Sequence, residues 1–331
     1  MLFKCEKICY NVSMGSMRND KQRDAFTAFL GEPTPAKTSG LTFSVANIVT
    51  VGFAYLFFLI LIISGIADTE GYLDTEWYKY CNYLITPLAF AVSAVLMLRW
   101  AKTSARVVLK EQTCHPKYYL IAILLQIGLL SLSELNALFL EFLAQFGYKD
   151  TPIVLPSMDG FGFVGVLFAV ALLPAIFEEI IFRGFLLKGM RAFGTVGAIL
   201  ISGGLFAIFH QNPAQTVYQF CCGAAFALVA IRSGSILPTM LSHFINNALI
   251  LTLTKFGLTE FPTPVLIVVL CVSIASLIFS LGWLIFFDKK QMPAVGNTEK
   301  SKEERRQFWL TASVGILICA LMWLSVLLTG M

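Results

Sequence analysis

Apolar residues in this chain come in long runs rather than in the alternating or one-faced patterns of soluble strands and helices. Judged against the roughly 20 residues needed to cross a bilayer, candidate spans fall near 45–67, 80–98, 118–140, 163–187, 196–210, 214–232, 235–254, 264–287 and 308–329. The fifth is short, and 196–232 could fold as one re-entrant hairpin, so the pattern predicts about 8–9 transmembrane helices. The stretch 1–44 is polar and mixed in charge, with Pro33, Pro35 and Gly40 near its end. It reads as a cytoplasmic N-terminal tail ahead of a transmembrane domain at 45–331. The expected fold is an all-α polytopic integral membrane protein.

Composition strengthens this reading. The 331 residues are 57% hydrophobic and 13% charged, against about 25% charged in soluble domains. The net charge of +4 needs no nucleic acid to explain it, because basic cytoplasmic loops give the same excess. With the N-terminus inside, all of the 24 Lys and Arg fall on inside segments except Lys79, Lys149 and Lys255. Asp68, Glu70, Asp74 and Glu76 crowd one outer loop. The eight cysteines are scattered with no CxxC pair, so they read as small packing residues rather than a disulfide or zinc framework.

Charge inside the apolar runs is the exception that points to chemistry. Phe177-Glu178-Glu179-Ile180-Ile181-Phe182-Arg183 closes the fourth run, where an ionisable group is a functional-site hypothesis by default. Glu179 and Arg183 stand i and i+4, on one helix face, and can pair. Glu178 points about 100° away and is left for another task. Of the three histidines, His115 lies in a basic loop and reads as exposed, whereas His210 and His243 lie in apolar runs. Asn247 is i+4 from His243, on the same face.

At 1.5 Å per residue, Glu178, His243 and His210 lie about 15, 12 and 22 Å from the cytoplasmic side. Helix tilt can absorb that spread, so one intramembrane polar cavity opening to the cytoplasm could collect them. Such a group suits activation of water for attack on a carbonyl. Glu178 would be general base, with Asn247 or a histidine donating to the developing oxyanion. Alternatively Glu178, His210 and His243 could hold one divalent metal, commonly zinc. No HExxH pair is present, and the residues alone do not choose between the two.

Lesser features have plainer readings. Pro174 frees the backbone carbonyl of Val170 from its helical donor. Gly203, Gly204 and Gly223 permit close helix approach. Glu134 and Glu141 flank Asn136 near an outer helix end and read as snorkelling to the interface, while Tyr218 and Gln219 are candidates to line the cavity.

The set Glu178-Glu179-x-x-x-Arg183, Phe206-x-x-x-His210 and His243-x-x-x-Asn247 resembles the three-motif signature of the CPBP intramembrane metalloproteases. That family includes the type II CAAX prenyl endopeptidases and the bacterial Abi proteins. The resemblance covers about 164–250, the expected catalytic core. It implies that Glu178 activates water, that His210, His243 and Asn247 complete the site, and that Glu179 and Arg183 support it.

The expected function is therefore intramembrane hydrolysis of a peptide bond near the cytoplasmic face, on a membrane-associated peptide or protein substrate. The expected setting is a bacterial plasma membrane, with the lipid bilayer as partner and no nucleic acid. A non-catalytic immunity or partner-binding role, or a proton-coupled transporter, are the alternatives.

Overall fold

The structure, a computed structural model, describes residues 32–109, 114–150, 154–258, 262–293, 295 and 298–331. Of the tail expected at 1–44, residues 1–31 lie outside the described residues. The chain divides after Pro33, and the unit Thr34–Met331 is the one considered below. Helix α1 (Pro35–Ile63) begins earlier than the apolar run does, so residues 35–44 of the stretch expected as a tail are its first turns. Thr34 caps it, accepting from the Lys37 N–H at 3.2 Å, with Pro35 in the first turn where its missing N–H is harmless.

The remaining elements are helical, and no strand occurs among the described residues. Those used below are α2 (Glu76–Trp100), α3 (Lys117–Leu129) and α4 (Ser133–Ala144), then α5 (Gly162–Val166) and α6 (Leu173–Glu179). After them come α7 (Gly194–Phe209), α8 (Thr216–Ser233), α9 (Leu237–Lys255), α10 (Thr263–Gly282) and α11 (Thr298–Thr329).

Seven helical stretches among the described residues are long and apolar enough to cross a membrane. The difference from the longer list of runs has two sources. First, 163–187 and 196–210 are halves of one 48-residue helical run, Gly162–Phe209. It is turned where Met190 leaves helical geometry at ψ 18° and Gly194 takes φ +70°. Second, α9 carries Thr239, Ser242, His243, Asn246 and Asn247 and is not apolar enough to qualify. Its polarity is the cost of carrying the site.

The loops sort to two ends. At one, Lys188 bonds the carbonyls of Val107 and Val108, Arg232 holds those of Leu284 and Lys290, and Arg305 donates to Ala192 O at 2.9 Å. At the other, the Ser157 N–H donates to Glu76 at 2.7 Å, the Lys149 N–H donates to Gly330 O at 2.8 Å, and Lys255 bonds Met158 O. Each end gathers the loops that alternation of the spans assigns to one side of the membrane.

Large apolar side chains such as Ile63, Ile278, Phe286 and Leu328 are exposed on the outside of the bundle, where lipid replaces water as their solvent. Inside, α1 and α11 pack closely. The Ser44 hydroxyl donates to Thr311 O at 2.6 Å, and Cys319 Sγ lies 3.0 Å from Asn47 Oδ1. Helices α7 and α8 also touch. A Cβ built on Gly223 would stand 2.8 Å from the Phe206 Cβ and 2.9 Å from the Gly203 Cα, whereas one on Gly204 would meet nothing. Only Gly203 of the Gly203-Gly204 pair is therefore at the contact. Phe43, Phe90, Phe182, Phe206 and Phe209 fill the space beside it, with ring centroids 5.0–6.4 Å apart.

Candidate active site

Proline shapes the segment that carries the carboxylates. Pro174 has no N–H for the Val170 carbonyl, and the backbone widens into a π turn over Leu167–Leu172 just before α6. A second π turn, Ile180–Leu186, follows α6. Widened turns of this kind concentrate at functional sites. The freed Val170 carbonyl does find a donor: Asn247 Nδ2 lies 3.4 Å away on α9. A long hydrogen bond thus ties the helix bearing Glu178 to the one bearing His243.

Glu178, Glu179, Arg183 and His243 come together, and all are buried, at 8%, 0%, 1% and 4% exposure. Arg183 Nη1 donates to Glu179 Oε1 at 2.6 Å, the i, i+4 pair that the spacing predicts. Its Nη2 donates to Gly223 O at 3.0 Å, a bond that the close α7–α8 contact brings within reach. The guanidinium also lies over the Phe206 and Phe226 rings, at 4.5 and 5.2 Å from their centroids, a desolvated cation–π arrangement.

His243 stands between the two carboxylates. Its Nδ1 is 3.1 Å from Glu179 Oε1 and its Nε2 is 3.9 Å from Glu178 Oε2. Glu179 already accepts from Arg183 and in its ionised form can only accept. The assigned proton is therefore on Nδ1, which leaves Nε2 facing Glu178. The 100° separation leaves Glu178 Oε2 without a hydrogen bond, although the imidazole that bonds Glu179 also comes within 3.9 Å of it.

His210 follows the last residue of α7, with Nδ1 2.8 Å from Phe206 O. That carbonyl can only accept, so this Nδ1 also carries the proton. The Phe206 ring links the two histidines, 4.8 Å from the His210 ring centroid and 5.9 Å from that of His243. Both imidazoles thus hold Nδ1 in a hydrogen bond, and in the neutral form each presents Nε2 as an acceptor.

A neighbouring group, of which only Tyr218 was a candidate from sequence, lies beside these residues. Asn246 Oδ1 accepts from Gln126 Nε2 at 2.7 Å and from the Tyr218 hydroxyl at 2.8 Å, and Asn246 Nδ2 donates to Asn247 Oδ1 at 3.0 Å. The Ser242 hydroxyl donates to Gln126 Oε1 at 3.2 Å. Asn136 fixes the start of α8 through Ala214 O at 2.7 Å and the Tyr218 N–H at 3.2 Å. The sequence signal was a lone glutamine in the Leu-rich α3 and a second asparagine beside Asn247. Glu134 and Glu141 are exposed.

Several polar atoms at the site have no hydrogen-bond partner: Glu178 Oε2, Glu179 Oε2 and Arg183 Nε. The donor types fit a divalent ion, with one free carboxylate oxygen and two imidazole Nε2 atoms held by their Nδ1 partners. The spacing does not complete the fit, since among the described residues no three His, Cys, Asp or Glu groups gather closely enough to hold a metal.

Residues 160–249 match the family of type II CAAX prenyl endopeptidase Rce1-like proteins. The matched segment runs from the start of α5 into α9 and contains Glu178, Glu179, Arg183, His210, His243 and Asn247. No curated protein and no solved structure matches the chain.

Proposed function

We propose, for an integral membrane protein that carries a CAAX-type protease domain over residues 160–249, an intramembrane endopeptidase in which Glu178 activates water. The observation that carries this reading is the orphaned Glu178 Oε2, buried and 3.9 Å from His243 Nε2. A buried carboxylate oxygen with no protein partner is costly, and a water or a reacting group is what such an atom can hold.

In this mechanism Glu178 takes a proton from water as the oxygen attacks a peptide carbonyl. The Nε2 of His243, 3.9 Å from Glu178 Oε2, accepts the water's second hydrogen and orients it, and His210 completes the wall of the site. Asn247 has a second N–H besides the one on Val170 O, and it donates to the developing oxyanion. Collapse breaks the C–N bond, and the proton on Glu178 passes to the leaving amine. Glu179 and Arg183 fix the orientation and tautomer of His243. No step is routed through a divalent ion, because the spacing of Glu178, His210 and His243 does not complete a site for one.

The substrate class is a membrane-associated peptide or protein cut near the cytoplasmic face. The basic residues that gather at the Lys188 end support an orientation with that end inside.

The test compares new N-termini in membranes carrying the wild type or Glu178→Gln at matched expression. Termini present with the wild type should vanish in the variant, a loss of at least about a hundredfold in rate. Identical profiles would overturn catalysis and favour a binding role. Activity lost on chelation and restored by zinc would add the metal, and indifference to chelation would remove it.

A further inference from the structure

Beside Arg183, toward the end of the bundle where the basic loops gather, lies a cavity of about 110 Å³. Arg183, Lys188, Arg191 and Lys290 contribute to its wall, and no Asp or Glu does so among the described residues. The turn Gly234–Ile236 closes one side. It leads into α9, where Ser235 Oγ accepts from the Leu237 N–H at 3.2 Å and the helix presents the positive end of its dipole. Arg183 gives a second observation that points to a ligand. It is 1% exposed, two of its nitrogens are engaged by Glu179 and Gly223, and its Nε has no hydrogen-bond partner.

Two tethers hold the wall in place. Lys188 bonds the carbonyls of Val107 and Val108, and Arg232 bonds the Lys290 carbonyl. Leu187 and Met292 add apolar surface. We propose that this pocket binds the phosphate of an anionic phospholipid headgroup. A phosphate suits the size of the cavity, and basic pockets between helices at the cytoplasmic end of a bundle lie at the depth of lipid phosphates. The apolar part of the wall suits the glycerol and first acyl carbons. Because Arg183 belongs to both the pocket and the Glu179–His243 group, lipid occupancy bears on the geometry of the candidate active site.

The test is native mass spectrometry of the full chain, purified in detergent and titrated with dioleoyl phosphatidylglycerol or dioleoyl phosphatidylcholine. The expected result is at least a tenfold preference for phosphatidylglycerol. Arg191→Gln combined with Lys290→Gln should weaken its binding about tenfold to thirtyfold. Arg191→Lys should retain binding, and equal thermal unfolding of the variants guards against misfolding. Millimolar inorganic phosphate should compete with the lipid. Equal affinity for the two lipids, or equal binding by wild type and the double variant, would overturn the proposal. So would competition by phosphate without any lipid preference, which would assign the pocket to free phosphate. None of these readouts depends on proteolysis, so the lipid site and the peptidase reading fail or survive separately.

Discussion

Two polar clusters share the same apolar bundle and are finished differently. In the neutral one, Gln126, Tyr218, Ser242 and Asn246 bond one another at 2.7–3.5 Å, and none of its side-chain atoms is buried without a partner. In the charged one, Glu178 Oε2, Glu179 Oε2 and Arg183 Nε are left open. Hydrocarbon supplies no water to mend such gaps, and the neutral cluster shows that this bundle can close a polar network where it needs only structure. Open atoms beside a closed network therefore mark where a ligand, a water or a reacting group belongs. The closed network also touches the open one, since Asn246 holds Asn247 and Asn247 holds Val170 O.

The harshest way to break this contrast is to remove the charge partner. Arg183→Ala strips Glu179 of its cation at a site where both side chains are fully buried. Loss of one member of a buried pair costs about 3–5 kcal/mol, so the variant should unfold far more readily in a detergent–SDS titration. Adding Glu179→Gln should recover part of the loss, because the stranded charge goes with it. A single variant within about 1 kcal/mol of wild type would mean that the pair behaves as an exposed one and that water reaches it.

Asn246→Ala acts on the closed network and should cost less. It leaves Gln126 Nε2 with only the long 3.5 Å contact to Tyr218, and it removes the donor to Asn247 Oδ1. Unpaired buried groups of this kind cost about 1–3 kcal/mol each. Proteolysis should fall as well, because Asn247 loses the bond that fixes its amide. The check is unfolding and cleavage rate measured on one preparation. A stability change without any change in rate would separate Asn246 from the site altogether.

How far these clusters could be read in advance depends on how local their physics is. The Glu179–Arg183 pair follows from i, i+4 spacing alone, and the orphan carbonyl of Val170 follows from Pro174. The gathering of basic loops follows from charge. The span count was less legible, because Gly162–Phe209 stays helical through its turn and the polarity of α9 hides a membrane-length helix among weaker candidates. Asn246 was passed over because only the packing of α3 and α8 against α9 reveals that its amide has partners. The contact of one imidazole with both glutamates depends on π turns whose rotation no residue count supplies. Sequence spacing thus locates groups along a helix, whereas the finish of their hydrogen bonds is a property of three helices at once.

The mildest probe sharpens the comparison most. Tyr218→Phe deletes a hydroxyl that donates to Asn246 Oδ1 at 2.8 Å. The same oxygen still accepts from Gln126 Nε2 at 2.7 Å, so no acceptor is stranded and the ring keeps its place. The expected cost is one net hydrogen bond, about 0.5–1.5 kcal/mol, with cleavage retained within about threefold, the rate equivalent of roughly 0.65 kcal/mol. A loss of a hundredfold or more at that small stability cost would move Tyr218 out of the scaffold and into the reaction. The boundary between the two clusters would then have to be redrawn to put the hydroxyl on the side of Glu178.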